Sequence, residues 1–269
     1  MNKSFLKWAG GKSQSIEFIK STIKTKPKRL IEPFAGSAVV SLNIDADQYL
    51  ICDHNKDLID VFSSLKKHKE FFIKRCKIVF ECGNEEKVYY YNRARFNDLE
   101  SCLEKSALFV YLNRHSFNGL CRYNLGGGFN VPFGRYKKVY FPQQEMVFFY
   151  KKAKKFKFKN ASFEKTFAEQ RIGDLIYCDP PYIPISKTAS FTSYTGKGFD
   201  MEMQKTLVKL AEESQCPVLI SNHWIPNITD VLYGKAKKQF KDINRSISAS
   251  GSSRCKVKEV LAVFNSKDN

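Results

Sequence analysis

Four short apolar runs, three of which end on an acid, most restrict what this chain can fold into. Arg29-Leu30-Ile31-Glu32 leads into a turn of small residues, Gln48-Tyr49-Leu50-Ile51-Cys52 ends at Asp53, and Leu175-Ile176-Tyr177-Cys178 ends at Asp179. The fourth, Val218-Leu219-Ile220-Ser221, follows Pro217. Runs this short and this uniformly apolar suit strands buried on both faces of a parallel sheet. Helix-like stretches over Ser13 to Ile23, Asp57 to His68 and Asp200 to Ser214 lie between them. The alternation predicts an α/β, Rossmann-like doubly wound sheet, in which ligands bind beyond the carboxyl ends of the strands. Residues 57–143 interrupt it. There Lys105 to Asn113 and the tyrosine-rich stretch before it are predicted helical, so the segment is expected to be an inserted, mainly helical domain carrying a β-hairpin. Residues 1–56 and 144–269 would then form the sheet domain.

The chain has 269 residues and a formal charge of +18, from 45 Lys and Arg against 27 Asp and Glu. With 43% hydrophobic residues, 23 Phe and 13 Tyr, it is not a disordered polyelectrolyte. The charge points instead to a polyanionic partner. It is concentrated in three blocks. Residues 113–138 carry Arg114, Arg122, Arg135, Lys137 and Lys138 without any acid, interleaved with Phe117, Tyr123, Phe129, Phe133 and Tyr136 and punctuated by glycines. A glycine-turned hairpin bearing basic and aromatic side chains suits phosphates and bases. Residues 151–159 add six lysines, and residues 235–258 are also strongly basic. These two blocks are read as solvated faces that supply nonspecific attraction.

No apolar run approaches the roughly 18 residues that cross a bilayer, and Met1 to Trp8 lacks the apolar stretch of a secretory signal. A cytoplasmic, membrane-independent protein is expected. The eight cysteines contain no C-x-x-C pair and the four histidines are scattered, so reduced thiols and no metal site are expected.

The sharpest chemical signal is Asp179-Pro180-Pro181-Tyr182 at the end of a predicted strand. Two prolines stiffen the segment and remove two backbone donors, leaving acceptors exposed. The Asp179 carboxylate and the Pro180 carbonyl can each accept one N–H of a planar exocyclic amine. Such an amine is a poor nucleophile until converging acceptors favour its pyramidal, charge-developing form. Tyr182 offers a face for an extruded base. The bland alternative is a proline-rich turn capped by an ordinary aspartate. A second signal is Glu32-Pro33-Phe34-Ala35-Gly36-Ser37-Ala38, whose small residues let backbone amides approach a ligand, with Asp53 placed to accept ribose hydroxyls. No G-x-G-x-x-G is present, which argues against NAD or FAD. Gly11-Lys12-Ser13 resembles the end of a Walker A motif, but Leu6 stands where its first glycine is required. Lys12 is read instead as a charge partner for a ligand carboxylate.

Phe5 to Lys12 (F-L-K-W-A-G-G-K), Glu32 to Ser37, Tyr111 to Asn124 (Y-L-N-R-H-S-F-N-G-L-C-R-Y-N), Phe129 to Lys138, Cys178 to Tyr182 and Leu219 to His223 together resemble the Dam-type DNA adenine methyltransferases, and the middle block resembles the GATC-methylating branch. The resemblance covers most of the chain. It implies S-adenosylmethionine as cofactor, held by Trp8, Lys12, Phe34, Gly36, Asp53, Phe163 and Asp179, with Asp179, Pro180, Pro181 and Tyr182 as the catalytic motif. It implies double-stranded DNA as substrate. Base contacts then fall to Lys7, Leu120, Arg122 and Pro132, and filling of the duplex beside an extruded adenine to Phe117 and Asn118. Backbone contacts fall to Arg93, Arg114, Asn124, Asn130, Arg135 and Tyr136. Ala38 departs from the family's usual second glycine, so its methyl group either pushes on the cofactor or packs. Ile183 to Phe199 is read as a lid over the extruded base, and His223 as structural. A monomer without an obligate protein partner is expected. The alternatives are methylation of RNA adenine, cytosine N4 or protein glutamine, a DNA-binding protein that has lost catalysis, and a basic adaptor.

Overall fold

A computed structural model of the chain describes residues 1–183, 199–244 and 256–266. Most of the expected lid (184–198), together with Arg245, Arg254 and Cys255 of the last basic block, lies outside the described residues. In chain order the elements are α1 (Ile16–Thr22), β1 (Arg29–Glu32), α2 (Val39–Asn43), β2 (Gln48–Asp53), α3 (Lys56–Glu81), α4 (Glu86–Asp98), α5 (Leu103–His115) and α6 (Gln143–Lys152). They continue with β3 (Phe156–Asn160), α7 (Phe163–Phe167), β4 (Asp174–Cys178), α8 (Met201–Glu212), β5 (Val218–His223), α9 (Thr229–Leu232), β6 (Lys237–Asn244) and β7 (Lys256–Phe264).

The sheet runs β3-β2-β1-β4-β5-β7-β6. The pairs from β3 to β5 are parallel, whereas β7 is antiparallel to both β5 and β6. This is the doubly wound, Rossmann-like α/β sheet expected. After β1 the chain moves outward to β2 and β3, then returns to lay β4 on the other side of β1. The strand order therefore reverses between β1 and β4, where a crevice opens beyond the strand ends. Beneath that crevice, Arg29 and Asp174 are register partners and form a two-bond ion pair (Nε–Oδ1 3.1 Å, Nη2–Oδ2 2.6 Å), almost fully buried. Arg29 also donates to the Glu169 carbonyl and the Arg171 N–H caps Asp174, so the buried charges are satisfied.

The four apolar runs are β1, β2, β4 and β5. The two lysine blocks read as solvated faces turn out to contain the outermost strands. In β3, Phe156 is buried and pairs with Tyr49, while Lys157 and Lys159 alternate with the phenylalanines. At the other edge β6 carries Lys237, Lys238 and Lys241. Lysines on edge strands oppose pairing with another chain, so these charges have a folding role besides any long-range attraction.

Between β2 and β3 lie α3 to α6. Helix α3 is kinked at Lys69 (φ 46°), one residue past the end predicted for it, and continues to Glu81. Its first half packs Phe62 on Phe149 of α6 and on Phe5 near the N-terminus. Phe149 and Phe158 stack in turn, so this aromatic cluster joins the sheet to the inserted helices. Helix α5 is buried over most of its length, from Ser106 to Asn113. The expected hairpin follows as two irregular arms. They are joined by the antiparallel bridges Ser116 to Phe133 and Tyr123 to Phe129 and closed by the Asn124 side chain accepting from the Gly128 N–H.

At the end of β1, Glu32 is 1% exposed and accepts the Ser41 N–H at 2.7 Å. Burial pushes its carboxyl up to about 8, opposed by the bonds from Ser41 and assisted by Asp179. Because the folded-state value lies above the ordinary one, the group contributes full stability below about pH 4.5, and that contribution is lost as the pH rises through about 8. Glu32→Gln is expected to unfold close to wild type near pH 4.5 and to be the more stable by up to about 5 kcal/mol at pH 9. Melting curves across that range check this, and a constant difference would show that Glu32 ionises without penalty.

Candidate active site and nucleic-acid face

At the switch point the acid that follows β4 meets Lys12, so the carboxylate paired with Lys12 here belongs to the chain and not, as expected, to a ligand. Lys12 sits in a short 3-10 turn, Lys12–Ser15, and is nearly buried. Its ammonium contacts Asp179 Oδ1 at 2.9 Å and the Gly10 carbonyl at 2.7 Å, and lies 4.6 Å from the centre of the Tyr182 ring. Burial raises the Asp179 pKa above its ordinary value, with Lys12 opposing.

The main chain around the prolines is pinned from behind. Gln204 on α8 donates to the Pro181 carbonyl at 2.9 Å, and the Asn222 side chain accepts the Ile183 N–H at 3.1 Å. Asn222 also donates to Gln204 Oε1 and to the Tyr233 hydroxyl, which makes it the hub of a buried network. Among the described residues no donor reaches the Pro180 carbonyl. The Leu219 to His223 motif contained Asn222, but nothing local marked Gln204. His223 holds the Ile183 carbonyl through Nδ1 and meets Tyr182 edge-on at 4.6 Å, the structural role expected for it. The Tyr182 ring is thus held inward, between His223 and Lys12, with a buried hydroxyl that has no hydrogen-bond partner of good geometry.

On the β1 side the turn after Glu32 is shaped by close approach. Gly36 adopts φ +48°, and a β-carbon there would stand 2.7 Å from Trp8 Nε1, so the Trp8 indole can lie on the turn only because residue 36 is glycine. Asp53 at the end of β2 accepts the Gly36 N–H (2.9 Å) and the Asn55 N–H (2.9 Å), one on each oxygen, leaving one acceptor position per oxygen. Burial raises its pKa, and those backbone bonds oppose the rise. Phe34 stacks on Phe163 (5.5 Å, 26°), and both meet Phe199 edge-on. Trp8, Gly36 and Asp53 are thus in mutual contact after β1 and β2, Phe34 meets Phe163, and Lys12 meets Asp179 at the neighbouring strand end. Ala38 adopts φ +55° at the start of α2 and is completely buried, so its methyl group packs in the core.

The expected DNA contacts occupy the hairpin side, and several are engaged with one another. Asn113 is buried. It accepts the Lys7 N–H (2.8 Å) and donates to the Lys7 carbonyl (2.7 Å), locking the N-terminal segment onto α5. The Lys7 ammonium lies 4.1 Å over the Tyr136 ring, and burial lowers its pKa, with Arg114 adding to the effect. Gly119 (φ +64°) presses on Lys7, where a β-carbon would collide. Phe117 is half exposed and Asn118 is exposed in the turn after α5, with the Phe117 N–H bonded to the Pro132 carbonyl. Arg122 and Pro132 are exposed and Leu120 is partly buried. Arg122 Nε bonds Asn130 Oδ1 at 2.9 Å. Arg93 donates to the Val131 carbonyl and covers the Tyr90 ring. Arg114 is largely buried beside Tyr140 with its Nε unpaired. Arg135 forms an exposed ion pair with Glu86 (3.5 Å), and the Tyr136 hydroxyl donates to the Ser116 carbonyl. Asn124 and Asn130 thus shape the hairpin in this structure through their side-chain oxygens.

Sequence reasoning did not single out the Asn113 clamp or Glu259. The latter, on β7, accepts from Ser15 Oγ at 3.5 Å beside the Lys12–Asp179 pair. Asn113→Ala strands the N–H and carbonyl of Lys7, and should cost about 2–3 kcal/mol in chemical denaturation. A loss below about 0.5 kcal/mol would mean that the N-terminal segment is held elsewhere.

Comparisons of the whole chain agree on what carries this arrangement. Residues 8–260 match the family described as D12 class N6 adenine-specific DNA methyltransferase. The chain is 45% identical over 267 residues to the DNA adenine methylase of Vibrio cholerae serotype O1, covering 97% of this chain and 96% of that one. It is 42% identical over 267 residues to the DNA adenine methylase of Escherichia coli K12, covering 98% and 95%, and 41% identical over 272 residues to that of Haemophilus influenzae, covering 99% and 95%. With the family's motifs gathered at one switch point and a basic, aromatic hairpin tied to them through Lys7 and Trp8, this chain belongs to the D12 class of N6 adenine-specific DNA methyltransferases.

Proposed function

We propose that the enzyme extrudes adenine from duplex DNA, at GATC sites, and methylates its N6 by direct in-line transfer from S-adenosylmethionine. The observation that carries this reading is the Lys12–Asp179 pair at the switch point, with the Pro180-Pro181-Tyr182 main chain fixed by Gln204 and Asn222. Residues 57–143 serve as the recognition domain on a catalytic domain of residues 1–56 and 144–269.

The crevice fits the cofactor chemically. The glycine turn under Trp8 brings backbone close to a ligand, Asp53 keeps an acceptor position on each oxygen for ribose hydroxyls, and Phe34 and Phe163 offer aromatic faces to adenine. When bound, S-adenosylmethionine supplies a methyl group on a sulfonium, a good electrophile.

The chain's own residues act on the nucleophile. The N6 amine of adenine is planar because its lone pair is delocalised into the ring. Asp179 and the Pro180 carbonyl each accept one of its hydrogens, favour the pyramidal amine and stabilise the positive charge that develops on it. With the cofactor bound, the amine held by Asp179 and the Pro180 carbonyl would be placed to accept the methyl group that the sulfonium supplies, its surplus proton then passing to solvent. No histidine base is needed. Lys12 fixes the Asp179 carboxylate, and Tyr182 supplies the stacking surface once the base enters. Phe117 and Asn118 fill the duplex beside the extruded base, while Lys7, Leu120, Arg122 and Pro132 read base edges. Arg93, Arg114, Asn124, Asn130, Arg135 and Tyr136 set register on phosphates.

Unmethylated GATC-containing DNA incubated with enzyme and S-adenosylmethionine should become a substrate for a nuclease that cuts only methylated GATC. Absence of cleavage, with no methyl incorporation into DNA, would overturn the function. Methyl incorporation without that cleavage would overturn the GATC assignment. Asp179→Ala is expected to lose at least about a thousandfold in transfer while DNA affinity holds, and equal loss of both would remove Asp179 from the chemistry. Arg122→Ala should relax preference at one guanine, at a cost of about 1–3 kcal/mol of discrimination. Uniform weakening across all sequences would make Arg122 a phosphate contact.

A further inference from the structure

Pro180 and Pro181 present two consecutive carbonyls, and the transfer proposed above needs one of them open. What separates them lies behind the loop. The Pro181 carbonyl accepts from Gln204 Nε2 at 2.9 Å, whereas among the described residues no donor reaches the Pro180 carbonyl. The polarity of the first bond is dictated from β5. The N–H groups of Ile183 and His223 can only donate, and both donate to Asn222 Oδ1, at 3.1 and 2.9 Å. The Asn222 amide nitrogen is therefore the other end, donating to Gln204 Oε1 (3.3 Å) and to the Tyr233 hydroxyl (3.0 Å). With its oxygen taken, Gln204 turns its nitrogen to Pro181. A flip of either amide would set like against like where Asn222 is fully buried and Gln204 is 2% exposed. Gln204 is itself fixed along α8. Its N–H bonds the Asp200 carbonyl at 3.0 Å, and Asp200 caps the helix by accepting the Met203 N–H at 2.9 Å. Before the cap Phe199 packs on Phe34 and Phe163, and after it Leu207, Val208 and Ala211 enter the core.

We propose that Gln204 is a positioning residue for methyl transfer: by filling the Pro181 carbonyl with a donor whose direction Asn222 dictates, it orients the paired prolines so that the Pro180 carbonyl alone is left to accept the adenine amine. This rests on the methyl-transfer reading above. Gln204 acts through the main chain and not on the base. Without it the Pro181 carbonyl becomes a second free acceptor and the Pro180 carbonyl loses its fixed direction. Misplacement of a reacting group by about 1 Å costs roughly a hundredfold in rate.

The test uses the full chain, S-adenosylmethionine and a DNA duplex that the wild type methylates, with a matching duplex carrying 2-aminopurine at the target adenine. 2-Aminopurine brightens on leaving the stack and has no N6 amine, so it reports extrusion without the Pro180 contact. Gln204→Leu keeps the bulk and removes the donor. Asn222→Asp keeps the acceptor for the two N–H groups but loses the donor to Gln204, which can then turn its nitrogen away from Pro181. Each should slow single-turnover transfer about a hundredfold, with KM for both substrates and the fluorescence rise within about threefold of wild type. The double variant should be no slower than Gln204→Leu, because both break one network. An undiminished rate in the folded variants would make Gln204 merely structural and overturn the proposal. So would a matching rise in KM or loss of fluorescence, which would place Gln204 in binding or base entry, and so would losses that multiply in the double variant. Each single variant decides alone if the other does not fold. If the wild type methylates no duplex, it is the transfer reading that falls, before any variant is compared.

Discussion

Residues Phe5 to Lys12 fasten three parts of the molecule to one another, and the site exists only where they do so. Phe5 is buried against Phe62 of α3 and Phe149 of α6. Lys7 is clamped by Asn113 of α5, Trp8 covers Gly36 after β1, and Lys12 holds Asp179 after β4. Consecutive α-carbons are about 3.8 Å apart. The hairpin-facing Lys7 and the crevice-facing Trp8 are therefore one residue from each other, and a displacement at the first is carried into the second by covalent geometry. Among the described residues, Gly119 and Gly36 bring backbone too close to this segment for a side chain.

The sheet supplies the rigid base for that strap. The reversal of strand order between β1 and β4 puts Glu32 and Asp179 at neighbouring strand ends, and the Arg29–Asp174 pair locks the two strands at their other ends. Two buried acids side by side repel one another, and the structure resolves this by unequal treatment. Asp179 receives Lys12, whereas Glu32 receives the Ser41 N–H and is pushed by burial to about 8, where it is mostly neutral at pH 7. Burial is the main cause of the Glu32 shift, with the neighbouring Asp179 adding to it.

How much of this the sequence revealed depended on how local the cause was. Strands β1, β2, β4 and β5 were legible because a strand covered on both faces reads as an unbroken apolar run. The edge strands β3 and β6 were not, since lysines that block edge pairing look the same as a solvated charge run until the sheet is assembled. The carboxylate of Asp179 was legible from the prolines that follow it. Glu259 was not: it reaches Ser15 across 244 residues through an antiparallel register that no short motif encodes. Asn113 lay inside a recognisable block, yet its side chain turns inward to the Lys7 backbone, a role that residue type alone does not distinguish from a contact to DNA. Asn124 and Asn130 illustrate the same ambiguity, since a short amide suits a turn as readily as a phosphate.

The charge of the molecule is likewise divided between two length scales. Its +18 is concentrated in three basic blocks, the hairpin among them, where it acts on a polyanion over about 10 Å of screened solvent. Around Lys12 the surroundings screen far less, and there a single ammonium is paired with the buried Asp179. A uniformly basic protein would attract DNA but oppose the positive charge that develops on an attacking amine. Under the transfer proposed above, the acid at the end of β4 offsets that charge locally. It leaves the long-range field intact because the larger number of lysines and arginines lies elsewhere on the fold.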